Sequence, residues 1–197
     1  MSGFDDPIVR HVYGLDRRWD TNPDREPAVL RTNRQPMREP ATARWDLDIS
    51  AADFAELKLG FKPKQMEDKW AIAATAEPDG DGVTSVHIMR SWRGSECYIL
   101  HVKPTGTDGT DGTGGARIES ITWEQVLSES ATARHTEKRA KMMAAYLCRI
   151  HVGCALEKLP AYDTATIWGS DGDDEVEEGK DKDTQSRDVE GASSGGI

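Results

Sequence analysis

Between Met66 and Val102 the chain concentrates side chains able to do chemistry: Asp68, Lys69, Trp70, His87, Arg90, Ser91, Trp92, Glu96, Tyr98 and His101. Arg90 and Lys69 are suited to hold a phosphate or carboxylate, because a guanidinium forks onto paired oxygens and an ammonium supplies a compact charge. A Trp offers a face on which a ring or a cation can stack. Asp68 or Glu96 can take a proton as general base. Read as a pocket, the stretch has Asp68 and Glu96 as catalytic candidates and Lys69, Trp70, Arg90, Ser91 and Trp92 as ligand-binding ones. The same residues also fit a structural role, in which Trp70 and Trp92 anchor a core and Asp68 or Glu96 neutralises Arg90. Replacing Arg90 by Ala separates the two. A pocket role predicts a lost ligand response in a folded chain, and a structural role predicts destabilisation by an unpaired buried acid.

Other chemistries find little support. The chain has no nucleophile elbow and no dinucleotide fingerprint, and the glycines of 106–115 are not followed by Lys-Ser/Thr, which excludes a phosphate-binding P-loop. Cys148, His151 and Cys154 stand three residues apart, so a helix would let Cys148 and His151 share an ion. No second pair closes a tetrahedron, and both cysteines read instead as small buried residues. Asp171-Gly-Asp-Asp-Glu lacks the glycine and the spaced oxygens of a calcium loop. No metal and no cofactor is implied.

The elements that must position the Met66–Val102 residues can be read from pattern. Ser50 stands as a helix cap, Asp53 sits at capping-box spacing, Phe54 and Leu57 form one face, and Gly60 with Pro63 ends the helix. Ala71 to Thr75, Val83 to Trp92, Glu96 to Val102 and Ala116 to Ile121 read as strands. A three-residue turn at Arg93-Gly94-Ser95 predicts Arg90 opposite Tyr98 and His87 opposite His101, with Trp92 and Glu96 closing the hairpin. Thr122 to Leu156 reads as mostly helical, its apolar residues at three- and four-residue steps and its outer face basic. The expectation is an α+β domain: a small antiparallel sheet of about four strands with helices packed on one face.

Met66-Glu-Asp-Lys-Trp70, then Met89-Arg-Ser-Trp-Arg-Gly94 and Cys97-Tyr98, resembles a family of small proteins of unassigned function. Its pattern is Met-x-Asp-Lys/Arg-Trp, followed by His-Arg-Ser-Trp-Thr-Gly and an apolar residue before Tyr. The likeness covers about a fifth of the chain. Met89 stands where that family often has His, and Arg93 where it has Thr. The resemblance implies an association with ADP-ribose- or NAD-processing domains.

The ends differ from the body. All eight basic residues before Trp45 are Arg, with Pro at 7, 23, 27, 36 and 40, so 1–40 reads as an extended arm anchored by Trp19 and Ile8-Val9. Ten acids lie between Asp171 and Glu190 against Lys180, Lys182 and Arg187, and composition predicts that 169–197 is a disordered acidic tail. The single domain is expected over 41–168. A net charge of -10 over 197 residues makes nucleic acid an unlikely partner. No apolar run approaches the ~20 residues of a membrane span, and three scattered Cys suggest a reducing, intracellular compartment, cytoplasmic or nuclear. Two functions of different class follow. One is binding of a nucleotide or ADP-ribose-like molecule in the Trp/Arg pocket, with or without hydrolase or transferase chemistry. The other is a non-catalytic protein-interaction module working through the arm or the tail.

Overall fold

The computed structural model describes residues 26–105, 114–127 and 134–162. The expected anchors Trp19 and Ile8-Val9, most of the Thr-Asp-Gly repeat and the acidic tail lie outside the described residues. The chain runs β1 (Pro40–Ile49), α1 (Ala51–Leu59), β2 (Trp70–Ala74), β3 (Thr84–Arg90), β4 (Glu96–Pro104), β5 (Ala116–Glu124) and α2 (Glu137–His151). All neighbouring strands are antiparallel, in the order β1-β5-β4-β3-β2.

The sheet thus has five strands, not about four. The extra one, β1, begins at the last residue assigned to the arm. Its alternation is broken by a bulge between Arg44 and Leu47, where Asp46 takes a φ of 51°, so a period of two does not show in the sequence. A second correction concerns Thr122–Glu124, expected to open a helix. They continue β5, where Thr122 and Trp123 pair with Ile99 and Tyr98 of β4, and helix α2 starts only at Glu137. Thr and Trp favour strands, and pairing on both sides of β5 fixes them there.

The hairpin register also differs from expectation. Tyr98 faces Ile88 and His87 faces Ile99, two residues away from the predicted alignment, and a shift beyond Ile88 sets Met89 against Glu96. Cys97 is the extra residue of that bulge, which no turn rule applied to Arg93-Gly94-Ser95 could reveal.

Side chains of alternate residues go to opposite faces of the sheet. Trp70, Ile72, Val86, Ile88, Leu100 and Ile121 join Phe54 and Leu57 of α1 and Met143 and Leu147 of α2 in the main core. Each fully buried Leu or Ile contributes about 1.5–3 kcal/mol relative to exposure. Ala71, Ala73 and Met89, of the other parity, pack against Ala28 and Leu30 from the segment before β1.

Capping follows the sequence at α1: Ser50 Oγ accepts from Asp53 N at 3.0 Å. Asp53 does not reciprocate as a capping box would. Its buried carboxylate accepts from Ala155 N (2.6 Å) and Leu156 N (3.2 Å), fastening the chain after α2 to the start of α1. Gly60 closes α1 at a φ of 65°, and a Cβ there would lie 2.3 Å from the Ile72 carbonyl oxygen. The helix end and β2 can approach so closely only because that Cβ is missing, and Phe61 then exchanges two backbone hydrogen bonds with Ile72. At α2 the entry is set by His135, whose ring meets Tyr98 Oη at 3.0 Å and whose carbonyl accepts from Trp123 Nε1 at 2.7 Å. The basic face of α2 turns its charges on its own chain. Lys141 donates to Glu137 and to the Arg44 carbonyl, and Arg149 donates to four carbonyls of 155–160. Among the described residues no helix is long and apolar enough to cross a membrane.

Candidate functional site

The β3–β4 turn is tied down from two sides. Arg90 N donates to Ser95 O and Gly94 N to Arg90 O, both at 2.9 Å. Buried Ser91 donates through Oγ to the Asp68 carbonyl and through N to the Lys69 carbonyl, and its own carbonyl accepts from Arg31 at 2.8 Å. Ser91 therefore pins the turn to the loop before β2, and its hydroxyl is spent on that contact.

Beside this turn lies a cavity of about 950 Å³, bounded by Lys69, Arg90, Trp92, Arg93, Glu96, Cys97, by Gln35, Pro36 and Arg38 of the arm, and by Glu124, Val126 and Leu127 after β5. Four of the seven candidates from the sequence line it: Lys69, Arg90, Trp92 and Glu96. The other three do not. Trp70 is in the core with its ring 4.0 Å beneath the Arg90 guanidinium. Ser91 is the pin just described. Asp68 is buried and accepts from Lys64 N (2.8 Å) and Gln65 N (3.1 Å), closing the turn ahead of β2.

Neither acid proposed as Arg90's partner pairs with it. Glu96 Oε1 accepts from Arg34 Nε at 2.7 Å and faces His87 Nδ1 at 2.8 Å. Glu124, the other acid of the cavity wall, accepts from the backbone amides of Arg38 (2.5 Å), Glu39 (3.2 Å) and Val126 (3.1 Å). Among the described residues Arg90 thus has an aromatic support and no ion pair. Lys69 Nζ stands 5.2 Å over the Trp92 ring and donates to the Met66 carbonyl at 3.3 Å. Trp92 is 57% exposed, with its Nε1 donating to the same carbonyl at 3.2 Å, so the indole is held at its edge while a broad surface stays open.

Burial lowers the His87 pKa below the ordinary imidazole value, and the Glu96 carboxylate opposes that only in part. A neutral ring beside a carboxylate donates from Nδ1. Cys97 lies against the cavity, yet burial pushes its thiol up to about 11, which removes it as a nucleophile near neutrality. Cys148 and Cys154 are buried in the core, His151 lies against the Phe61 ring at 4.8 Å, and no group of three metal-ligating side chains gathers among the described residues.

No sequence motif announces the arm's contribution of Gln35, Pro36 and Arg38 to the cavity. Gln35 enters it through backbone bonds that any residue could make, and the nearest signal was the density of Arg and Pro before residue 40. No protein-family model, no curated protein and no solved structure matches this chain.

Proposed function

We propose that this protein binds a phosphate-bearing, ring-containing small molecule of the nucleotide or ADP-ribose class in the cavity beside the β3–β4 turn. The observation that carries the proposal is Arg90: a guanidinium on the cavity wall, stacked on Trp70 and without an acid among the described residues. Lys69, Arg38 and Arg93 add positive charge to the same wall, while both of its acids are engaged by the protein's own donors. A phosphate supplies the anion that Arg90 lacks among the described residues, and the open indole of Trp92 supplies a surface for the ring. The resemblance of Met66–Trp70 and Met89–Gly94 to a family whose members sometimes occur beside ADP-ribose- or NAD-processing domains accords with this class of ligand. Binding fits better than catalysis. Glu96 is occupied by Arg34 and His87, and Asp68 lies off the cavity holding two amides, so neither is placed as a free base. Three buried free thiols fit an intracellular setting.

The test is thermal unfolding of the full chain against NAD, ADP-ribose, ATP, GTP and simple anions. A ligand at a hundred times its dissociation constant adds about 2.7 kcal/mol, enough to raise the midpoint by several degrees. A selective shift that vanishes in Arg90→Ala supports the proposal, and silence from the whole panel removes it. A second function is favoured by the exposure of Met66, Trp92 and Leu127, three large apolar side chains of which two border the same cavity. They suit a protein-interaction surface, which predicts nucleotide silence together with partner capture that is lost in Trp92→Ala.

A further inference from the structure

The cavity's two acids share an unexpected property: each holds the arm. Glu124 takes the backbone amides of Arg38 and Glu39, and Glu96 takes the Arg34 guanidinium. Between these two points Gln35, Pro36 and Arg38 form one wall of the cavity. Gln35 is further clipped to the turn, its N donating to Gly94 O and its carbonyl accepting from Glu96 N, both at 2.9 Å, while Ser95 Oγ donates to its side chain. We infer that Arg34 is a positioning residue for the site: by engaging Glu96 it seats the 35–38 wall, so that arm docking and ligand binding stabilise one another. This rests on the binding function proposed above.

The physical basis is the difference between the arm and the core. Beneath the arm, Ala28 and Leu30 cover only Ala71, Ala73 and Met89, whereas β3 and β4 are buried on the helix side among large side chains. A segment with so little apolar burial opens locally far more often than the sheet unfolds. A ligand that touches both Arg90 and the arm wall binds the docked form alone, and linkage makes the effect reciprocal. Arg34 does not line the cavity, so its removal acts on the ligand only through the arm and through charge at a distance.

The experiment uses the full chain, ADP-ribose and inorganic pyrophosphate as probes, and amide hydrogen exchange read at Gln35, with Leu100 in the core as reference. Conditions are chosen so that Gln35 exchanges faster than Leu100, which makes local arm release the event observed. Probe at a hundred times its dissociation constant is expected to slow Gln35 exchange about a hundredfold, and Arg34→Ala to weaken binding at least tenfold. A purely electrostatic role of Arg34 would lower affinity without any probe-dependent protection at Gln35, and that result overturns the inference. Unchanged affinity in Arg34→Ala, with wild type binding normally, overturns it as well and leaves the proposed function standing. If wild type binds neither probe, the member of the nucleotide panel that does bind takes their place, and if no member binds, the proposed function falls and the coupling falls with it.

Discussion

Arg90 rests on an aromatic ring, and no acid among the described residues depends on it, which fixes the cost of losing it. Arg90→Ala removes one partly exposed cation–π contact and is expected to lower stability by only about 1 kcal/mol in urea unfolding. A loss of several kcal/mol would mean that a buried acid had been stranded, as the structural assignment of Asp68 or Glu96 required. The two histidines on β3 and β4 give a pH signature. Burial holds both His87 and His101 below the ordinary value of 6.5, so just under that pH the unfolded chain binds more protons than the folded one. Their contribution to stability is therefore complete above 6.5 and is lost as pH falls toward their folded values. Urea midpoints should drop between pH 7.5 and 5.5, and the His87→Gln, His101→Gln double variant should show a shallower fall. An identical slope in the double variant would assign the whole effect to carboxylates. At this scale the sequence disclosed the chemical types at the cavity, Lys69, Arg90, Trp92 and Glu96, but not their partners. Glu96 meets Arg34 from a distant segment, and only the folded arm brings them together.

Helix α1 was legible because its signals are local: the Ser50 cap, the Phe54 and Leu57 face and the Gly60 stop all act within a few residues. Two of those residues carry more than a local role. Gly60→Ala would force a Cβ toward the Ile72 carbonyl at a φ of 65°, and a loss of roughly 2–3 kcal/mol is expected in chemical denaturation. An alanine variant of wild-type stability would show that α1 and β2 can separate without penalty. Asp53→Ala strands the amides of Ala155 and Leu156 and should cost about 3 kcal/mol, with Asp53→Asn recovering part of it. Equal stability of the three chains would show that the segment after α2 finds other acceptors. Strands β3 and β4 were legible from alternation, but their register was not, because Cys97 bulges out of step. Strand β1 was hidden for the same kind of reason, and Thr122–Glu124 because pairing with β1 and β4 overrides a helical pattern that begins in earnest only after Thr136.

At the scale of the molecule the general layout of antiparallel strands with helices was within reach of the sequence, since hydrophobic period and turn residues encode it. Strand order was not, since it depends on a pairing between β1 and β5 that no local pattern announces. That pairing has a consequence for how the protein is made. Ala43 and Ile121, partners across the two strands, leave the ribosome roughly 4 to 16 s apart at ~5–20 residues per second. Throughout that interval β1 has no strand to join. The β2–β3–β4 meander can assemble as it emerges, but it presents the bare edge of β4 until β5 arrives and then β1 is drawn in from the start of the chain. Synthesis halted before Ala116 therefore yields a species with an open strand edge, a row of unpaired backbone groups along which such nascent chains can pair with one another.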